Sequence, residues 1–145
     1  MIFIDTNLFL RHLTEAPDER TQRLQDIAER LFLAAEQGTV EITTSELVLH
    51  ETLYFLTHRN FYNFPVEKAV VSVRSFIQLK GFRLSAAERI VIFRALDMFE
   101  AQPSLGFADS VIAARCEANG WELATFDEAL GSIPSIARWQ SSSSA

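Results

Sequence analysis

The stretch IFIDTN, residues 2–7, decides the predicted fold from the start of the chain. Its three consecutive large apolar residues predict a short buried β-strand. The strand ends at the carboxylate of Asp5, and the two small polar residues that follow suit a turn or the start of a helix. Because open α/β sheets bind ligands at the carboxyl ends of their strands, Asp5 is a candidate for a functional site. The alternative is that Asp5 or Thr6 only caps the helix that begins near Leu8.

Strands and helices alternate along the rest of the chain. Further strands are predicted at residues 40–43, 122–126 and 136–139. Helices are predicted at residues 8–13, 18–37, 45–59, 66–79, 86–99 and 108–118. Helical connections between strands are typical of a parallel sheet covered by helices. We therefore predict an α/β fold with three α/β/α layers and a central parallel sheet of about four strands. Residues 1–140 are predicted to form one domain, and the Ser-rich residues 141–145 a disordered tail.

The composition limits the class of protein. Hydrophobic residues make up 48% of the 145 residues, and 12 residues are Phe, which is ample for a core and hints at an apolar surface for a partner. The formal net charge of −6 argues against a broad basic face for nucleic acid, but not against a nuclease whose acids are neutralised by metal ions. A single cysteine, Cys116, is typical of a reducing cytosol. The sequence shows neither a signal peptide nor an apolar run of membrane-spanning length, so we expect a cytoplasmic protein without a membrane partner.

Three further acids occupy settings similar to that of Asp5. Glu51 lies on the apolar stripe of a predicted helix, where an unpaired carboxylate is costly. Asp109 lies in the first turn of a helix, and Asp127 directly follows a predicted strand. Each has a structural alternative: a buried salt bridge at Glu51, a favourable helix dipole at Asp109 and a helix cap at Asp127.

Four acids at strand ends and helix starts can converge on one rim of a parallel sheet. Clustered carboxylates do not all stay ionised unless cations neutralise them. A site made of oxygen atoms suits Mg²⁺ or Mn²⁺ rather than Zn²⁺. Such ions typically meet a phosphate substrate, where they activate water and stabilise charge on the departing oxygen. The sequence therefore predicts a metal-dependent site made of Asp5, Glu51, Asp109 and Asp127.

Four short motifs carry a resemblance to a known family. They are IDTN at residues 4–7, LHE at 49–51, FADS at 107–110 and TFD at 125–127. In this order and at this spacing they resemble the motifs of PIN-domain nucleases, and more narrowly those of the small VapC-type toxins of bacterial toxin–antitoxin pairs. The resemblance spans nearly the whole chain.

The resemblance implies an endoribonuclease that depends on Mg²⁺ or Mn²⁺ and is built on a central parallel sheet. It implies that the four acids hold the ions and position the attacking water, and that Thr6, Asn7 and Thr125 support them through hydrogen bonds. It also implies an RNA substrate, a homodimer and a cognate antitoxin that wraps the toxin and blocks its site. The residues that bind RNA are not identified by the motifs. Arg11 and His12 are either solvated surface residues or contacts to a phosphate backbone.

Other functions are weighed against the nuclease. A catalytically inactive PIN-like module that binds RNA or protein would keep the fold, but decayed sites typically lose an acid and all four are present. A phosphotransfer receiver would need an acceptor Asp at the end of a middle strand, whereas the second predicted strand ends in Thr43 and Thr44. A phosphatase with a leading Asp nucleophile would need a second Asp two residues later, where this chain has Asn7.

Overall fold

The computed structural model describes residues 1–142, and the chain divides into two compact units. The first unit is Met1–Ser85, and the second contains the described residues from Ala86 onward. The predicted tail is described only at Ser141 and Ser142, which are exposed, and its remainder lies outside the described residues. The assignment of residues 1–140 to one domain stays a prediction.

The first unit contains two short strands and four helices. Its elements are β1 (Ile2–Phe3), α1 (Thr6–Leu13), α2 (Glu19–Gln37), β2 (Ile42–Thr43), α3 (Glu46–Thr57) and α4 (Val66–Ile77). The strands are parallel and pair Ile2 with Ile42 and Phe3 with Thr43. On the other edge of β2, Ile42 forms an isolated parallel bridge to Phe82.

The strand predicted to be buried at the start of the chain is buried at one position only. Ile4 is buried, whereas Phe3 is 59% exposed. Within residues 1–85, β1 pairs with β2 and has no strand on its other edge, so its first side chains are left uncovered. Helical side chains supply most of the core, in which the largest fully buried ones are Phe9, Leu49, Leu53, Leu56, Val70, Val73 and Ile77.

The ends of α2 and α3 are set by caps. Asp18 accepts a hydrogen bond from Thr21 N at the start of α2, and Gly38 ends that helix in the left-handed conformation, as the sequence predicts. The pattern of Thr43 and Glu46 predicts a capping box at the start of α3, but this prediction is wrong. Ser45 is the cap and accepts from Val48 N, because Thr43 lies in β2 and its hydroxyl donates to Arg83 O.

The second unit contains α5 (Ala86–Ala101), a 3₁₀ turn (Pro103–Leu105), α6 (Phe107–Asn119) and the short α7 (Glu128–Gly131). Ion pairs join α5 to α6: Arg94 lies 3.1 Å from Glu117, and Arg115 bonds both oxygens of Glu88 at 3.0 and 3.1 Å. The Arg115 guanidinium lowers the pKa of the Glu88 carboxyl. None of the helices in residues 1–142 is both long and apolar enough to cross a membrane.

The predicted sheet of about four strands is not confirmed in residues 1–142, which are mostly helical and contain one two-stranded parallel sheet. The strands predicted at 122–126 and 136–139 are reduced to one parallel bridge between Leu123 and Arg138. Leu123 N donates to Ala137 O at 2.8 Å, and Trp139 N donates to Leu123 O at 2.9 Å. Leu123 and Thr125 are half-buried while their neighbours are exposed, so this segment buries too little apolar surface for an extended strand.

Candidate functional site

Asp5 lies between β1 and α1 and is both exposed and a helix cap. It is the N-cap of α1 in an extended conformation, and its Oδ1 accepts a hydrogen bond from Thr6 N at 2.7 Å. The predicted capping role is therefore present. It uses only one carboxylate oxygen, because Oδ2 accepts no hydrogen bond from residues 1–142. One side chain can thus cap the helix and still offer an oxygen to a ligand.

The two residues after Asp5 differ in exposure. Thr6 is buried, and its Oγ1 has no hydrogen-bond partner within the described part of the chain. Buried hydroxyls are rarely left unpaired, so this atom marks a place where a ligand or an ordered water would complete the structure. Asn7 is exposed on the first turn of α1.

The position of Asp5 is fixed by a contact that the sequence analysis missed. Both backbone polar groups of Ile4 are held by the segment that leads into α3. Ile4 N donates to Thr43 O at 2.8 Å, and the buried hydroxyl of Thr44 donates to Ile4 O at 2.8 Å. Thr44 is therefore a positioning residue that ties the end of β1 to the start of α3. A Thr directly after a strand is only a weak sign of such a role.

Glu51 is exposed in the middle of α3, in the same unit as Asp5. The sequence placed it on an apolar stripe, with a buried salt bridge as the alternative. The apolar neighbours expected around Glu51 are only partly covered: Val48 is buried and Phe55 half-buried, whereas Leu47 and Tyr54 are exposed. The buried salt bridge is thus wrong. The Glu51 carboxylate makes no hydrogen bond or ion pair with residues 1–142, which leaves both oxygens open.

Asp109 is half-buried in the first turn of α6, in the second unit. The helix begins at Gly106, which has a φ of 81° and provides no side-chain cap. The carboxylate of Asp109 therefore faces the positive end of the helix dipole without a competing cap. Ile112, Ala113 and Cys116 follow Asp109 on the face of α6 that we expected to point inward. Ala113 and Cys116 are buried, but Ile112 is exposed.

Asp127 and Thr125 form a local motif before α7. Asp127 is exposed and caps α7, and its Oδ1 accepts from Leu130 N at 2.8 Å. Asp127 N in turn donates to Thr125 Oγ1 at 3.0 Å. The cap expected as the structural alternative is therefore present, and Thr125 holds the backbone of the acid in place.

Arg138 belongs to the same loop, although no motif in the sequence points to it. Its Nη2 donates to Thr125 O at 3.1 Å, and its Nη1 lies 3.6 Å from Glu128 Oε2. The guanidinium therefore stiffens the segment that carries Asp127. Asp127 and Arg138 are separated by 11 positions along the chain, so only the folded loop brings Arg138 to this position.

The predicted site residues divide between the two units. Asp5, Thr6, Asn7 and Glu51 lie in the first unit, and Asp109, Thr125 and Asp127 lie in the second. Within residues 1–142 the structure forms no group of three or more His, Cys, Asp or Glu side chains that could hold a metal ion. The predicted grouping of the four acids therefore stays a prediction. Their chemistry fits Mg²⁺ or Mn²⁺, because each acid offers at least one carboxylate oxygen that residues 1–142 leave without a hydrogen bond.

His12, one of two residues considered for phosphate contact, is part of an aromatic cluster instead. Its ring centroid lies 5.1 Å from that of Phe32 and 5.3 Å from that of Phe76. Its Nδ1 is buried and has no partner in residues 1–142. Burial lowers the pKa of this imidazole, and the negative charge of Glu29 offsets part of that effect.

This environment predicts a dependence of stability on pH. Burial in the folded state disfavours the charged form of His12, so its pKa is lower in the folded than in the unfolded protein. The folded protein is therefore not penalised above the unfolded pKa of about 6.5, and it loses stability as the pH falls below that value. We expect the free energy of unfolding to fall more between pH 7.5 and pH 5.5 in the wild type than in His12→Phe, which keeps an aromatic ring but cannot titrate. Urea unfolding at both pH values measures this difference. Equal pH dependence in the two proteins would contradict the prediction.

Comparison with known families gives one match. The sequence profile of the PIN domain matches residues 2–135, which is most of the chain and includes all four acids. PIN domains have an α/β fold, are generally nucleases and typically use divalent metal ions. No curated protein matches the chain significantly.

Proposed function

The chain belongs to the PIN domain family, and on this premise we propose that it is a metal-dependent endoribonuclease that hydrolyses RNA phosphodiester bonds. One observation carries the proposal: the matched residues 2–135 contain four acids in order, each with carboxylate oxygens that residues 1–142 leave unpaired. Helix capping accounts for one oxygen each of Asp5 and Asp127, and the helix dipole favours Asp109 at its position, but no contact within residues 1–142 accounts for Glu51 on α3.

In this proposal Asp5, Glu51, Asp109 and Asp127 hold Mg²⁺ or Mn²⁺. When bound, the ion neutralises the carboxylates and polarises a phosphate oxygen of the RNA. The ion is required because four carboxylates around one substrate phosphate would otherwise repel it.

The supporting residues keep the acids in position. Thr44 holds Ile4, and through it the backbone of Asp5, by the 2.8 Å bond from its hydroxyl. Thr125 does the same for Asp127 through its bond to the Asp127 N–H. The unpaired hydroxyl of Thr6 is a donor next to Asp5, and Asn7 offers an exposed amide on the same turn. Such fixed side chains reduce the reorganisation needed to bind the substrate productively.

We further propose that the protein is the toxin of a type II toxin–antitoxin pair and acts as a homodimer. The proposal rests on the resemblance of the four motifs to those of VapC-type toxins. Exposed apolar side chains such as Leu47 and Phe3 provide surface for a protein partner. Co-purification with the product of an adjacent gene, and loss of nuclease activity in that complex, would test the antitoxin.

The test of the nuclease is cleavage of RNA by the purified protein with Mg²⁺ or Mn²⁺. We expect cleavage with either ion, loss of cleavage in EDTA and its recovery when the ion is returned in excess. Several structured and single-stranded RNAs are needed, because the target sequence is not known. Cleavage that persists in EDTA would contradict the metal dependence. RNA binding without cleavage under all conditions would favour a catalytically inactive PIN-like binding module.

A further inference from the structure

A group of aromatic rings lies at the end of α3. We define the aromatic platform as Tyr54, His58 and Phe61, with Phe55 behind them. The ring centroids of Tyr54 and His58 are 5.0 Å apart, and those of His58 and Phe61 are 5.5 Å apart. Phe55 packs edge-on against Phe61 at 4.8 Å. The rings thus form one continuous group rather than scattered surface residues.

The platform is exposed although its rings are in contact with one another. Tyr54 is 48% exposed and Phe61 is 52% exposed. Aromatic side chains bury large areas when they belong to a core, so rings that contact one another and still face solvent leave an area ready for a ligand.

The backbone that carries the platform is pinned to the helix. His58 O accepts from Phe61 N at 3.0 Å and from Asn63 N at 3.2 Å, and Asn63 has a left-handed φ of 52°. Asn60 N donates to His58 Nδ1 at 3.1 Å, so the neutral imidazole carries its proton on Nε2. A turn held in this way presents its rings in a fixed arrangement and loses little conformational entropy when it binds a ligand.

The stretch of sequence that carries the platform is poor in acids compared with the rest of the chain. Residues 52–87 contain five of the 13 Lys and Arg but only one of the 19 Asp and Glu, whereas the whole chain has a net charge of −6. Arg59 is exposed within the turn itself, and Lys68 Nζ lies 4.0 Å from the centre of the Phe64 ring. Arg83, in the same segment, is already paired with Glu41. Exposed aromatic rings with a cationic side chain in the same turn, here Arg59, are a combination that binds single-stranded nucleic acid.

The platform also lies next to one of the proposed metal-binding acids. Glu51, Tyr54 and His58 are spaced by three and four residues, so they follow one face of α3 to its end. With a rise of about 1.5 Å per residue, Tyr54 is roughly one helical turn beyond Glu51 along the axis. A nucleotide with its phosphate near Glu51 would therefore have a neighbouring base within reach of Tyr54.

We propose that Tyr54, His58 and Phe61 form a stacking site for an unpaired RNA base next to the phosphate that is cut. The inference rests on the proposed nuclease function and adds the side chains that would hold a base next to the phosphate that is cut. Every base has a flat π-face, so stacking selects for unpaired bases with little preference for sequence. The basic segment supplies contacts to the backbone, while the acids are reserved for the metal ion and the cut phosphate.

The experiment measures RNA binding in EDTA, where binding is read without cleavage. The probes are a short unstructured RNA labelled with fluorescein, for anisotropy, and the same RNA with an internal 2-aminopurine, whose fluorescence is quenched by stacking. We expect the wild type to bind and to quench. Tyr54→Leu and Phe61→Leu are each expected to weaken binding about fivefold to 100-fold and to reduce the quenching.

Two control variants make the result specific. Tyr54→Phe keeps the ring and is expected to bind as the wild type does. Trp121→Leu removes an exposed aromatic ring from the second unit and is expected to leave RNA affinity unchanged. The melting temperature of each variant shows whether weaker binding comes from loss of the ring or from unfolding. Leu keeps an apolar side chain in the turn, so we expect only a small change in melting temperature.

Three outcomes would overturn the proposal. One is wild-type affinity and quenching in both Leu variants, and another is a wild type that does not bind the RNA. The third is a change of oligomeric state in the Leu variants, measured by sedimentation, with unchanged RNA affinity, which would assign the platform to a contact between copies of the chain. The nuclease proposal fails separately, if the wild type binds and quenches the probe but cleaves no RNA when Mg²⁺ or Mn²⁺ is added.

Discussion

Replacing Asp5 or Asp109 by Asn is expected to lower the rate of RNA cleavage by at least about 100-fold, because metal ions supply several kcal/mol of charge stabilisation to the transition state. Asn has nearly the same size as Asp but lacks the charge that attracts a divalent ion. At Asp5 it also preserves the helix cap, since Asn caps a helix as well as Asp does. The measurement is the single-turnover cleavage rate on an RNA that the wild type cuts, at saturating Mg²⁺ or Mn²⁺.

Asp18→Asn is the matched control for Asp5→Asn. Asp18 is also an N-cap in the first unit, where its Oδ1 accepts from Thr21 N at 2.7 Å, but it follows no strand and has no predicted role in the site. We expect this variant to cleave RNA at the wild-type rate. A wild-type rate in Asp5→Asn or Asp109→Asn would remove that residue from the proposed metal site, and an equal loss in Asp18→Asn would reveal a general effect of the caps.

The local setting of each acid could be predicted from the sequence because it depends on near neighbours. A carboxylate after a short apolar run ends a strand or caps the following helix. Asp5 follows β1 and caps α1, and Asp127 caps α7, although only one bridge forms in the segment before it. The setting of Glu51 was only half predicted. Periodicity finds the face shared by Leu47, Glu51 and Tyr54, but it does not show whether another element covers that face. In this structure that face of α3 is exposed.

Contacts between distant residues were not predictable in the same way. The bond from Thr44 to Ile4 joins residues 40 positions apart, and no local pattern reports it. The sheet was overestimated for a related reason. Residues 122–126 form a short, mainly apolar run that ends at Asp127, but a strand forms only where a partner and an apolar surface are available, and here one bridge to Arg138 is formed. The platform is likewise not predictable, because periodicity does not show which aromatic rings of α3 and the following turn stay exposed.

Replacing Gly81 by Ala is expected to lower the free energy of unfolding by about 3 kcal/mol or more. A Cβ at this position would lie 2.1 Å from Val40 O and 2.9 Å from Ala35 O, and both are backbone atoms that do not move easily. Gly81 also donates from its N–H to Ala35 O at 2.8 Å and accepts from Ile42 N at 2.9 Å. An added methyl group therefore pushes Gly81 away from the last turns of α2 and from Val40, two residues before β2, and disturbs the bridge to Phe82. Urea unfolding followed by circular dichroism measures the loss.

Gly131→Ala is the control for adding a methyl group to a glycine whose nearest neighbouring atoms are not backbone. The three atoms nearest to its added Cβ all belong to the Arg138 guanidinium, at 3.0 Å, and a small shift of that side chain would weaken at most its bond to Thr125 O and its ion pair with Glu128, so we expect a change within about 1 kcal/mol. The Gly81 variant should also lose cleavage activity, because β2 leads into Thr44, whose hydroxyl holds the residue before Asp5. A Gly81→Ala protein as stable as Gly131→Ala would show that β2 can shift without unfolding. The cleavage rate of that protein would then report how closely the position of Asp5 depends on the strand beside it.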